Sequence, residues 1–439
     1  MSILNVNKIN PVGGGSTITI AGIASVTNNI SVGNSVTAGS FVGPIEGNVT
    51  GNVTGNVTGN VTGNADTASG LSGNPSINTT GIVTATAFVS DTPLSHRNII
   101  INGAMTVAQR ATSATSITST GYRTADRWGL SVTNTGTWTN TISTDTPDGF
   151  ASSYKLDCTT ADTSLGASDL LIFYQPIEGF NVQGFAKGTS SAKEFTASFY
   201  IKTNKTGTYV VELYDADNNR QVSQSYTVSD TNWNRYIITF PADTTGAFGN
   251  DNGASLYLQW WLASGTTYTS GTLNTSWATT TSANRVSALN VNLADSTSNE
   301  WLITGIQLEI GSTATPFEHR IAGDELRRCY RYFQRLTSSD NYQWVSLVSF
   351  YSGSEIHGFL KHFDTMRAVP TLSADTGANT FAVQRAGGAV AWSTGIIKNG
   401  GDLNMTYFYR DGVSLGTSGQ CGRCLTWTAG STITLSAEL

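Results

Sequence analysis

Hydrophobic and polar residues alternate along much of this chain. In Phe195-Thr-Ala-Ser-Phe-Tyr-Ile201, Phe195, Ala197, Phe199 and Ile201 point one way and Thr196, Ser198 and Tyr200 the other. Tyr236, Ile238 and Phe240 share a face, as do Leu256, Leu258, Trp260 and Leu262. Leu289, Val291 and Leu293 form another set, and Ile306, Leu308 and Ile310 close the series. A period of two in short runs separated by turn-rich loops predicts half-buried strands of an antiparallel β-sandwich. The period changes from Gly323 to Leu336. There Leu326, Cys329, Tyr330 and Phe333 lie on one helical stripe, and Asp324 stands where an N-cap belongs. Strand patterning returns with Trp344-Val-Ser-Leu-Val-Ser-Phe350 and Ser431-Thr-Ile-Thr-Leu435. Residues 321–439 therefore read as a connector helix followed by a smaller C-terminal β-domain.

The N-terminal part follows a different rule. From Gly47 to Thr62 the quartet Gly-Asn-Val-Thr repeats without error. Four is twice the strand period, so Gly and Val fall on one face and Asn and Thr on the other. One such strand buries almost nothing. Three copies wound about a common axis would close the thin Gly/Val face and leave a solvated Asn/Thr sleeve. Collagen is excluded because its axis needs Gly at every third position. A flexible linker is the other reading, and Gly with polar residues supports it, but the regular Val favours a shaft over 47–96. Residues 1–46 carry short apolar runs (Thr17-Ile-Thr-Ile20, Ile30-Ser-Val32) without a core of their own and suit attachment to a larger assembly.

Composition narrows the function classes. Charged residues make up 12% of the 439, against roughly 25% in an average globular protein. Gly (46 residues), Ser, Thr and Asn fill the gap, which favours β-structure with many turns. With a net charge of −6 and no basic face among aromatics, nucleic acid is not an expected partner. No stretch approaches the roughly 20 apolar residues of a membrane helix, and the N-terminus lacks the pattern of a secretory signal. Accumulation in the cytoplasm followed by assembly into a particle reconciles this with a surface suited to the outside of a cell.

Candidate chemistry is sparse. Cys158, Cys329, Cys421 and Cys424 make no disulfide framework in a chain this long. Cys421-Gly-Arg-Cys424 has half-zinc-site spacing without a second half, and reads as a free-thiol turn. His357 and His362 lack the spacing that aims two rings at one metal, and both read as surface or interface residues. Asp157, Asp162, Asp169 and Asp215-Ala-Asp-Asn-Asn219 stand in turn contexts. Calcium is the one cofactor with a candidate, through Asp215 and Asp217. Arg327, Arg328, Arg331 and Arg335 form the one basic cluster, read as a solvated helix face, or as a surface packing on acidic loops of a neighbouring subunit. Trp260 shares the core face of Leu256 and Leu258, which turns Tyr257, Gln259 and Trp261 outward. That outer face is a sugar platform or a subunit interface, and Tyr351, Tyr407 and Tyr409 carry the same two readings.

Several stretches resemble one protein group. The Gly47–Asp66 repeat, with Gly70-Leu-Ser-Gly-Asn-Pro-Ser-Ile77 and Gly81-Ile-Val-Thr-Ala-Thr, is similar to shafts of cyanophage and marine-phage fibre proteins. Asn98-Ile-Ile-Ile-Asn-Gly-Ala-Met105 with Thr124-Ala-Asp-Arg-Trp128 resembles the opening of a jelly-roll module of such fibres. Ile303-Thr-Gly-Ile-Gln-Leu-Glu-Ile-Gly311 with Thr315-Pro-Phe-Glu-His-Arg320 resembles its close. Glu325-Leu with Cys329-Tyr-Arg-Tyr-Phe333 looks like the following connector, and Ser436-Ala-Glu-Leu439 like the end of such chains. The resemblance implies an all-β, elongated homotrimeric virion fibre: N-terminal attachment to other virion proteins, β-shaft, a carbohydrate-binding-like jelly roll over 97–320, and a β tip. It implies attachment to a host-surface polysaccharide or lipopolysaccharide without catalysis. A purely structural fibre on head or tail is the alternative, and a polysaccharide depolymerase is a third.

Overall fold

Strands between residues 113 and 310 stack as two sheets because each turns one side of its alternation inward. The computed structural model describes residues 95–439, apart from Thr394 and 413–415, together with Ile9. The expected attachment segment (1–46) and repeat shaft (47–96) thus lie outside the described residues, save for Ile9, Ser95 and His96. The described residues from 95 to 439 belong to one compact unit.

The first sheet has six strands in the order Ser113–Ile117, Thr137–Ser143, Ser153–Thr160, Glu300–Ile310, Phe195–Thr203, Asn234–Phe240. The second has seven, in the order Ala278–Thr279, Arg220–Val228, Gly207–Asp215, Ala254–Ser264, Leu170–Glu178, Gly129–Thr133, Gly121–Tyr122. Every pairing is antiparallel, and the chain passes repeatedly between the sheets, giving a jelly-roll-like sandwich. Phe195, Phe199, Ile201, Leu256, Leu258, Trp260, Ile306 and Leu308 all enter the one core between them, as their alternation predicts. Aromatic rings pack at its centre, with Trp128 stacked on Phe173 at 4.6 Å and Trp260 edge-on to Phe199 at 5.2 Å.

One expected strand is absent. Leu289, Val291 and Leu293 lie in irregular backbone that runs into a short 3-10 turn, Leu293–Asp295. The polar residues between them replace a ladder. Asn290 accepts the Thr208 N–H at 2.7 Å, and Asn292 accepts that of Ala294 at 2.9 Å. Val291 and Leu293 still reach the core.

The connector helix spans Ala322–Tyr330 and is shorter than its pattern predicts. Ile321, not Asp324, occupies the N-cap, and Asp324 sits in the first turn beside Glu325. Phe333 begins the strand Phe333–Thr337, which pairs with Thr432–Ser436. The tip has its own core, including Val348, Phe350, Ile356, Phe381, Trp392, Phe408 and Leu435. That core lies between a three-stranded sheet and a seven-stranded sheet ordered Gly388–Trp392, Phe381–Arg385, Cys421–Thr426, Trp344–Ser352, Glu355–Lys361, Met405–Arg410, Ile397–Gly401.

Sandwich and tip meet in a polar seam. Cys329 and Leu326 of the helix pack with Ile101, Val107, Tyr332 and Leu439. Arg331 grips Glu178 in a bidentate pair at 2.8 and 2.7 Å, and Arg335 donates to the carbonyl of Gln109 at 2.9 Å. Arg327 pairs with Asp364 at 2.5 Å. The basic cluster is therefore largely spent within the chain and is not simply a solvated face. Arg127, fully buried, pairs with Glu438 while its guanidinium lies 3.5 Å from the Tyr332 ring centre. Removing one partner of such a pair strands a buried charge.

Candidate functional site

The outer face of the sandwich's seven-stranded sheet carries a row of tyrosines. Register sets Tyr257 opposite Tyr214, Gln259 opposite Tyr174, and Gly129 between Tyr174 and Tyr122. Ring centroids follow at 6.2 Å from Tyr122 to Tyr174, 6.2 Å from Tyr174 to Tyr257 and 6.0 Å from Tyr257 to Tyr214. All four are half-buried. Gly129 makes room for the row, since a Cβ there would stand 2.4 Å from the Tyr174 ring. Burial raises the phenol pKa of Tyr122, Tyr174 and Tyr257, so these hydroxyls stay protonated and can both donate and accept. Tyr122 already donates to the Leu439 carbonyl at 3.0 Å. Beside Tyr214, the fully buried Gln221 amide and Ser223 hydroxyl have no hydrogen-bond partner among the described residues, a polar capacity that an enclosed water would satisfy.

Trp261 departs from expectation. It does turn away from the sandwich core, as strand parity requires, yet it is fully buried. The segment from Gly265 to Val291 folds back over it, and Ile172, Val210 and Val286 complete a small second core. Its indole N–H donates to Glu212 at 2.9 Å. Arg285 clasps the same carboxylate at 2.9 and 2.7 Å, with its guanidinium 4.8 Å from the Trp261 ring centre. Trp261 is thus no exposed platform, and Gln259 is nearly enclosed as well. Only Tyr257 of that predicted trio remains accessible. Tyr122, Tyr174 and Tyr214 were missed, because Tyr174 lies inside the unbroken apolar run Leu170-Leu-Ile-Phe-Tyr and Tyr122 in a strand of two residues.

The tip aromatics do come together. Tyr351, Tyr407 and Tyr409 lie on the outer face of the tip's seven-stranded sheet, where Tyr407 pairs with Phe359 and Tyr409 with His357. Tyr351 is 69% exposed and stacks on His357 at 5.2 Å, while His357 shares a hydrogen bond with Glu355 at 2.7 Å. Trp344 and Leu347, 66% and 64% exposed, extend this face, and Arg423 lies 4.5 Å from the Trp344 ring centre. His362 is different from its surface reading, being buried between the Leu403 carbonyl and the Thr406 hydroxyl.

The carboxylates expected to hold calcium do not converge. Asp215 is buried against the Lys187 ammonium at 2.5 Å, and Lys187 is completed by Asp243 at 3.1 Å and the Gly246 carbonyl at 2.8 Å. A lysine cation thus occupies the oxygen cage. Burial alone would raise the Asp243 pKa, but hydrogen bonds from Arg220, Thr245 and Lys187 hold it below the usual range. Asp217 turns away to accept the Gly249 N–H at 2.7 Å. Among the described residues no group of three or more metal-ligating side chains gathers. Cys421 and Cys424 sit on a strand, not a turn; Cys421 is exposed and Cys424 points into the core, where burial pushes its thiol up to about 12. Spacing of three on a strand sends them to opposite faces.

No family model matches the chain, and no curated protein matches it. Solved structures similar to it include a putative sugar binding protein from Bacteroides thetaiotaomicron, at 9% identity and TM-score 0.27 over 49% of this chain and 100% of that one. A family 11 carbohydrate-binding module from Clostridium thermocellum, in complex with a β-1,3-1,4-mixed-linked tetrasaccharide, matches at 10% identity and TM-score 0.22 over 47% and 98%. The enzymatically active domain of tailspike protein 4 of bacteriophage CBA120 matches at 12% identity and TM-score 0.25 over 48% of this chain. This chain spans 21% of that tailspike's length.

Proposed function

We propose that this chain is a non-enzymatic virion fibre protein that attaches to a glycan on the host-cell surface. The observation that carries the reading is the row Tyr122–Tyr174–Tyr257–Tyr214, in which neighbouring rings are 6.0–6.2 Å apart. Phenol faces stack on the C–H faces of sugars, and neutral hydroxyls and amides meet sugar hydroxyls, so recognition needs no cofactor. Three buried carboxylates, Glu212, Glu178 and Asp215, are engaged in ion pairs with Arg285, Arg331 and Lys187. A homotrimer with weak sites gains avidity of about 10²–10⁴ when several engage together.

Labelled full-length protein should bind host cells saturably, and free surface polysaccharide should abolish the binding. Tyr257→Ala should weaken it without lowering the melting temperature by more than a few degrees. Binding indifferent to Tyr257 and to the competitor would sink this reading. Release of new reducing ends from host polysaccharide would instead indicate a depolymerase. A purely structural fibre is favoured by the exposed aliphatic Leu347 on the tip face, which suits a subunit contact better than a sugar. Light scattering of the full chain at a monomeric mass would remove the trimer.

A further inference from the structure

Three of the connector's four arginines serve the seam: Arg327 through Asp364, Arg331 through Glu178, and Arg335 through the carbonyls of Gln109 and Arg110. Arg328 makes no ion pair or hydrogen bond with any described residue, although it is half-buried. It lines a cavity of about 280 Å³ with His96, Phe180 and Asn181, over a floor of Ile99 and Ile101. Within that lining Arg328 is the one side chain that is always charged. A second cavity of about 430 Å³ shares His96 and Arg328. Of its carboxylates, Asp364 is neutralised by Arg327, and Asp324 lines the larger cavity only. A cation partly removed from water and left without a partner is costly to folding and contributes nothing visible to the seam.

We propose that the smaller cavity binds an acidic sugar unit, a uronate whose carboxylate pairs with Arg328. The guanidinium fork matches a carboxylate's two oxygens, and partial desolvation strengthens the pair beyond a surface contact. Phe180, 52% exposed, offers the flat apolar face that a pyranose ring covers. Asn181 and His96 supply donors and acceptors for its hydroxyls. The volume lies near the lower end for small-molecule sites, which suits one sugar unit entering from the larger cavity. The site rests on the glycan reading for the nature of its ligand, but it shares no residue with the tyrosine row.

Calorimetric titration of the full-length protein with a galacturonate oligomer and with its neutral methyl ester tests the assignment. The acid should bind about tenfold more tightly than the ester, as one charge-assisted pair supplies. Arg328→Ala should abolish that difference and keep the melting temperature at or above that of the parent, since the lost cation has no counter-charge to strand, whereas Arg328→Lys should restore part of the difference. Equal binding of acid and ester, no binding of the acid, or a difference that survives Arg328→Ala would each overturn the assignment. Tyr257→Ala separates the two proposals. If the tyrosine row alone is wrong, Tyr257→Ala changes nothing while the acid preference stays dependent on Arg328.

Discussion

Two seven-stranded antiparallel sheets in this molecule begin from the same alternation and end with opposite outer faces. In the sandwich, the outward side chains Ile172, Val210 and Trp261 are sealed beneath the chain's own 265–289 segment, and the tyrosine row beside them stays half-exposed. In the tip, the outward Trp344, Leu347, Tyr351, Phe359 and Tyr407 stand bare. The difference lies in the connections. The link from Ala254–Ser264 to Glu300–Ile310 is long enough to fold back across its sheet, whereas Trp344–Ser352 turns almost directly into Glu355–Lys361. A covered face contributes to stability, and a bare one is available for contact.

The largest break in this comparison should come from Trp261→Ala. Loss of the ring opens a cavity and strips Glu212 of a donor, for an expected cost of about 5 kcal/mol. Thermal unfolding should show the drop, and a change under about 1 kcal/mol would mean that the cover is not a true core. Glu438→Gln attacks the seam by leaving Arg127 buried without its counter-charge. An expected loss of about 3–4 kcal/mol should appear in denaturant titrations and should loosen tip and sandwich together.

Asp126 provides a pH handle on the same seam. Burial pushes its carboxyl up to about 6, from an ordinary 3.8, against the opposing pull of Arg110 and Gln109. Because the folded-state pKa is raised, the folded protein holds this proton more tightly than the unfolded chain. The contribution is therefore fully present below about pH 4 and is lost as pH rises through 6, a swing on the order of 3 kcal/mol. Asp126→Asn should flatten the melting temperature across this window, and an unchanged slope would refute the assignment. The smallest effect belongs to the bare face: Leu347→Ser should alter stability by less than about 0.5 kcal/mol. Unfolding midpoints of the two proteins, compared at a concentration where the chain is monomeric, decide that point.

Much of the architecture was legible in advance. The faces of Phe195–Thr203 and Ala254–Ser264 follow from strand parity alone, and so does the inward turn of Trp260. Boundaries were less so, because Phe333 fits a helical stripe as well as the start of a strand. The calcium expectation failed for a different reason. Asp215 and Asp217 are two apart in sequence, but Lys187 and Asp243, which complete the cage around Asp215, come from distant loops. For the candidate site, Tyr257 could be read from its alternation, whereas its three neighbours belong to separate strands brought together only by pairing.

The sequence by itself determined the mostly-β class, the strand faces and the break at the connector. These depend on local periodicity and composition, which act within a few residues. Tertiary structure decided which outward face is covered, that Lys187 fills the acidic cage, that three connector arginines are consumed while Arg328 finds no partner among the described residues, and that four tyrosines align. Each of these depends on where a non-repetitive connection comes to rest. That is set by long-range packing and ion pairing, which no local pattern encodes.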